Sequence, residues 1–187
     1  MDKINDNCIG VQFNSLFGDS RSLMSYSKEL QYHNINLEIK DINGSIINAA
    51  LDFVDYEFII LGYSLLQNII FSGCYDIVKN IIIKIWNSMK SHNSKIPFTI
   101  KITGIPTDTG PENISCKIEG FLTSKQKGYV LEKTFDLANN ISKNTLKLKE
   151  RSMFYEAFGA HVFRMDSDDF SISEIDIEEE IRKKTLK

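Results

Sequence analysis

Cysteine is scarce in this 187-residue chain: Cys8, Cys74 and Cys116 are an odd number with no C-x-x-C pair. That excludes a disulfide framework, and the thiols fit a reducing, cytoplasmic location. Three prolines and ten glycines are too few for a collagen-like or linker-rich chain. Arginine is short as well, with Arg21, Arg151, Arg164 and Arg182 set against 18 lysines. Guanidinium groups read guanine edges and stack on bases, and a formal charge of -3 exerts no global pull on a polyanion, so nucleic acid is not a favoured partner. The opening MDKINDNCIG carries Asp2 and Asp6 and no basic leader ahead of an apolar core, so no secretory signal is expected. No segment repeats with a period of about 20–50 residues, which excludes solenoids and arrays.

What is abundant is isoleucine (27), lysine (18) and asparagine (15), residues of AT-rich codons, which points to a low-GC bacterium or its phage. A chain of this length buries roughly 70% of the surface its unfolded form exposes, so it needs neither metal nor disulfide, and no cofactor is expected. The expected fold is α+β: a single domain over residues 1–187, with an N-terminal segment (1–34) and an acidic C-terminal tail or helix (166–187). Its centre is a long apolar helix, or helix pair, packed on a small, mainly antiparallel sheet.

Residues 8–17 are a short apolar stretch of open type, and residues 22–31 read as a short helix. Ile35, Leu37 and Ile39 alternate with polar residues as in a half-buried strand, which Asn43-Gly44 ends with turn chemistry. After Ser45, Ile46, Ile47, Ala50, Leu51 and Val54 fall on one helical stripe, although a strand returning across the Asn-Gly turn also fits. Asp55 is placed to cap a helix over residues 56–90, with Glu57 in its first turn. From Pro97, Phe98, Ile100 and Ile102 alternate, and so do Ile114, Cys116 and Ile118, a hairpin with a long polar loop at 106–113. Thr123 and Gln126 form a capping box for a helix carrying Val130, Leu131, Phe135, Ala138 and Ile141. Leu146 and Leu148, between lysines, read as a strand, and residues 153–163 as an apolar helix or strand. The chain closes with an acidic loop and a short helix.

Residues 58–75, FIILGYSLLQNIIFSGCY, contain no charge, which is long enough and neutral enough for a membrane span. Gln67 and Asn68 at its centre oppose that reading, because their amides would need partners in lipid, and acidic rather than basic residues flank it. A membrane role is therefore a possible but not a favoured reading, and burial in the core or in a helix contact is preferred. Beyond Phe71 the predicted helix becomes amphipathic, with Asp76 and Lys79 on its polar face. Ile83 interrupts that face and Trp86 sits at its rim, so Phe71, Asp76, Lys79, Ile83 and Trp86 are the candidate interaction residues for a protein partner or a second copy.

The search for catalytic motifs finds no phosphate loop, dinucleotide fingerprint, zincin or hydrolase elbow. His33, His92 and His161 are far apart, and Cys74 and Cys116 lie on apolar faces, where structural burial is the common outcome. Asp166-Ser167-Asp168-Asp169 begins like a cation loop but has Ser171 and Ile177 where the pattern needs glycine and glutamate, so it reads as a solvated loop capping the last helix. The acidic residues 174–180 and the basic cluster of Lys143, Lys147, Lys149 and Arg151 read as solvated surface. No catalytic, cofactor or metal residue is assigned.

In order, the strand at 35–39, the Gly44-Ser45 turn, the apolar helix ending in IIIKIW (81–86) and the strand after Pro97 resemble the small accessory domains of bacterial conflict systems, which sit beside anti-phage or toxin effectors. The resemblance implies a non-enzymatic role in adaptor contact, regulation or immunity-type inhibition. The favoured function is accordingly a cytoplasmic subunit acting through protein contacts and self-association. The alternatives are a membrane-active protein using the 58–90 helix, and an enzyme or small-molecule sensor whose site is scattered in sequence. The sign of the last would be a deep pocket lined by His161, Asp166 and Asp168.

Overall fold

A computed structural model describes residues 7–13, 20–41, 57–88, 98–118, 120, 122–151, 159–166, 168–176 and 182. The elements run β1 (Cys8–Phe13), α1 (Ser20–Gln31), β2 (Asn36–Asp41), β3 (Glu57–Gly62), α2 (Tyr63–Ser72), α3 (Tyr75–Ser88), β4 (Phe98–Ile105), β5 (Glu112–Ile118), α4 (Ser124–Ser142), β6 (His161–Met165) and β7 (Ile172–Glu174). The strands form one mixed sheet in the order β2-β1-β3-β4-β5-β6-β7. Pairs β1/β2, β3/β4 and β5/β6 are parallel, while β1/β3, β4/β5 and β6/β7 are antiparallel.

The class is α+β, as the residue pattern implies, but the small, mainly antiparallel sheet is not what forms. Parallel strands need a crossover of a dozen or more residues, and each parallel pair here has a helix between its strands. Three strand-helix-strand units therefore lie side by side. One face of the sheet carries Ile9, Val11, Ile59, Leu61, Ile100, Ile102, Ile114, Cys116, Phe163 and Met165, all buried and in register across the strands. Over that face α1, α3 and α4 pack against one another. Thr99, Lys101, Ser115, Lys117 and Arg164 alternate onto the other face.

The long apolar helix is also corrected. Residues 57–62 are β3, third in the sheet and hydrogen-bonded on both edges, to β1 and β4. A strand enclosed in this way reads as a continuous apolar run rather than an alternating one, and that run merges in sequence with the helix after it. Gly73 then ends α2: its φ of 72° is left-handed, and its N–H returns to the Ile70 carbonyl at 3.5 Å. Glycine takes that conformation without the steric cost a Cβ would add. The 56–90 helix is thus a strand and two helices of 10 and 14 residues. No helix among the described residues is long and apolar enough to cross a membrane. Gln67 finds its partner within the protein, its amide nitrogen donating to Asn139 Oδ1 at 2.9 Å.

The capping box at α4 forms as the sequence predicts: Thr123 Oγ1 accepts from the Gln126 N–H, and the Gln126 side chain accepts from the Thr123 N–H. Residues 144–151 are irregular instead of a strand. Both edges of β5 are already taken by β4 and β6, and the Leu/Lys alternation there reflects Leu148 packing on the core while its lysine neighbours face solvent. After β6 the chain makes a turn stabilised by Asp166 N–H to Ser171 C=O and Phe170 N–H to Asp166 C=O, at 3.0 and 3.1 Å, and returns as β7. The acidic loop is thus a turn between β6 and β7, with a short strand where the sequence suggested none. The stripe at 46–54, the first part of the 153–163 stretch and most of the predicted final helix lie outside the described residues.

Candidate functional site

The five candidate interaction residues do not form one surface. Trp86 is 7% exposed and stacks on Phe98 of β4, with ring centroids 4.0 Å apart and planes 12° apart. Ile83 packs against the core beside Gly128 of α4, whose missing side chain leaves room for Ile83 and Lys79. Lys79 pairs with Glu132 of α4. The chain's own α4 therefore covers the part of α3 that looked bare, because α4 arrives from more than 35 residues downstream. Asp76 is exposed, and Phe71 is 84% exposed, with Ile70 at 42% and Ile77 at 45%.

Charged chemistry gathers instead at the end of the sheet where β5 and β6 begin. Gly104 in β4, at φ 72°, creates a bulge, and its N–H is taken by Asn113 Oδ1 at 2.9 Å. The extra residue shifts the register so that Ile105 pairs with Glu112, which keeps Glu112 on the buried face behind Ile114 and Cys116. Asn113 also donates to the Gly159 carbonyl at 2.8 Å, tying the start of β5 to the approach to β6. His161, first in β6, follows the same buried phase as Phe163 and Met165, and Glu174 in β7 pairs with Phe163.

These placements build a four-residue ionic network. Glu174 Oε1 lies 2.8 Å from His161 Nδ1, and since a carboxylate can only accept, Nδ1 donates. Glu174 Oε2 accepts from the Lys149 backbone N–H at 3.1 Å. The other ring nitrogen, Nε2, faces Glu112 Oε2 at 3.6 Å, within ion-pair range and beyond a hydrogen bond. Arg151 directs both Nε and Nη2 at Glu112 Oε1, at 3.2 and 2.7 Å. His161 and Glu112 are only 6% and 5% exposed. The two carboxylates occupy opposite nitrogens of one ring, so they do not converge on a common ion, and among the described residues no His, Cys, Asp and Glu group is arranged to hold a metal.

Three members of the network, Glu112, Arg151 and His161, line a cavity of about 580 Å³, with residues 107–109 and Asn144 and residues 146–151 around it and the buried Glu112 and His161 at its floor. Asn144 donates to Asp108 across it. The volume lies within the range of small-molecule sites. Burying several charges costs several kcal/mol per ion before pairing returns it, and the neighbouring positions Ile100, Ile102, Ile114, Cys116, Phe163 and Met165 of this sheet face are buried and apolar. Glu174 fixes the ring orientation through Nδ1 and Nε2 faces Glu112, which places a buried imidazole among the residues that line the cavity.

Of the residues named for a scattered site, His161 is in this cavity, whereas Asp166 and Asp168 are at the opposite end of β6. There the Asp168 N–H donates to Asp166 Oδ1 and the Ser171 N–H to Asp169 Oδ1, so these carboxylates shape the turn. The Ser171 N–H holds the Asp169 carboxyl below its usual range. Cys116 offers no thiolate, since burial pushes its thiol up to about 12. Burial, followed by the charge of Glu38, does the same for Cys8. Glu112, Arg151 and Glu174 were missed in the sequence because each lies in a stretch that reads as solvated. The usable signal was phase: Glu112, His161 and Glu174 each fall in step with the apolar residues of their strand.

Comparison with protein-family models, with curated proteins and with solved structures finds no match for this chain.

Proposed function

We propose that this protein binds a small polar molecule in the cavity between residues 107–109 and 144–151, and that His161 exchanges a proton with it, as in an enzyme or small-molecule sensor with a site scattered in sequence. The supporting observation is His161 itself: a buried imidazole with one nitrogen held by Glu174 and the other turned toward Glu112 at the floor of the cavity. Buried titratable groups with specific charge partners in a cleft concentrate at functional sites. The test is a thermal-shift screen with small carboxylates, phosphates, amines and sugars, run on the wild type and on His161→Gln. At least one compound class should raise the melting temperature of the wild type and leave the variant unmoved. If every compound leaves both proteins unmoved, or moves both alike, the pocket reading is wrong.

A second reading, a subunit of a conflict system acting through protein contacts, draws support from Phe71. Its ring stands in solvent beside Ile70 and Ile77 at the α2–α3 elbow, and a cluster of large exposed apolar side chains marks contact surfaces. Light scattering on the wild type should then show an oligomer that Phe71→Glu reduces to a monomer. Equal masses for the two proteins would sink the self-association form of this reading.

A further inference from the structure

We infer that the 147–151 wall of the cavity is an anion subsite, so that the ligand is a small molecule carrying a carboxylate or phosphate group. This rests on the pocket reading above and specifies its ligand. Ten of the thirteen lining residues are polar or charged, with Ile141, Leu146 and Leu148 the apolar ones, so the cavity can offer hydrogen bonds to the polar ends of a ligand. The acids at its floor and mouth are already engaged. Glu112 is held by Arg151 and faces His161, and Asp108 accepts from Asn144. On the 147–151 wall the balance runs the other way. Lys147, Lys149 and Arg151 occupy alternate positions, with Glu150 the one acid among them. Arg151 is engaged by Glu112, whereas among the described residues the ammonium groups of Lys147 and Lys149 make no ion pair.

Two ammonium groups on one wall repel each other until an anion sits between them, and a charge-assisted hydrogen bond to such an anion is stronger than a neutral one. The chain is acidic overall, so this cationic wall is a local feature and not a sample of the whole surface. The lysines are exposed and lie at the mouth, while His161 and Glu112 lie at the floor. A ligand bound this way places its anionic end outward and its remainder toward His161 and Glu112. The Thr109 hydroxyl, on the facing loop, lies on the opposite wall.

The probes are sodium phosphate and sodium succinate, titrated separately into 15N-labelled protein at constant ionic strength to about 20 mM, enough to fill a millimolar site. Saturable amide shifts are expected at residues 107–109 and 144–151 with at least one probe. Lys147→Gln/Lys149→Gln should weaken that binding about tenfold, the loss of charge-assisted contacts. Lys125→Gln, which removes an exposed lysine of α4 that does not line the cavity, should retain it. Shifts that map elsewhere, fail to saturate or survive the double lysine variant overturn the anion subsite. If the anions fail while a neutral or cationic compound raises the melting temperature through His161, the subsite is wrong and the pocket reading stands. If nothing binds, both fall.

Discussion

Glu112→Ala is expected to lower the stability of the protein by about 1–3 kcal/mol, the cost of removing one member of a buried hydrogen-bonded network, which corresponds to a melting temperature roughly 2–12 °C lower for a chain of this size. Glu112 is 5% exposed and is shared between Arg151 and His161, so its removal takes this carboxylate from Arg151 and leaves the buried His161 ring with Glu174 as its other flanking carboxylate. The informative comparison is a triple variant, Glu112→Met, His161→Phe and Glu174→Met, in which the network is exchanged for apolar side chains. Arg151, 47% exposed in its side chain, is then free to turn to solvent. Replacing a whole buried ionic cluster by well-packed apolar groups is often neutral or stabilising. We expect the triple variant to regain the stability lost by Glu112→Ala while losing all response to ligand. Thermal and urea unfolding of the three proteins decide the matter. A triple variant as unstable as the single one would show that the network exists to hold the strands together, and would remove the main support for a functional pocket.

Trp86→Ala is expected to cost roughly 3–5 kcal/mol, the range for deleting a large buried aromatic side chain. The indole is stacked on Phe98, and the Lys127 ammonium lies 5.2 Å from its ring centre, so truncation opens a cavity between α3, β4 and α4. Circular dichroism in urea measures the loss. A cost below about 1 kcal/mol would mean that α3 is not seated on the sheet as described. The same packing changes what a charged residue at Ile83 should do. Because Ile83 lies against Gly128 of α4, Ile83→Glu should unfold the protein rather than dissociate an assembly.

Local chemistry was legible wherever a segment's own residues determine its conformation. The capping box at Thr123, the Phe98/Ile100/Ile102 and Ile114/Cys116/Ile118 alternations and the polar connection between β4 and β5 could all be read directly, since caps, pleats and turns involve residues only a few positions apart. The Phe58–Tyr75 run misled for the same reason. A strand enclosed within a sheet and an apolar helix are both unbroken hydrophobic stretches, and only a residue with φ of 72° such as Gly73 marks where the helix ends.

The sequence by itself determined the α+β class, the α4 helix with its start, the strands β4 and β5 and the structural character of Cys116. Only the tertiary structure decided the order of the seven strands, the covering of Ile83 and Trp86 by α4, and the meeting of Glu112, Arg151, His161 and Glu174, which span 62 residues of chain. Strand order and helix cover depend on which distant surfaces bury the most apolar area together, a property of pairs of elements that no single segment encodes. The ionic network arises in the same way: Glu112, Arg151 and Glu174 look solvated among their sequence neighbours, and they meet His161 only when β5, β6 and β7 align in register.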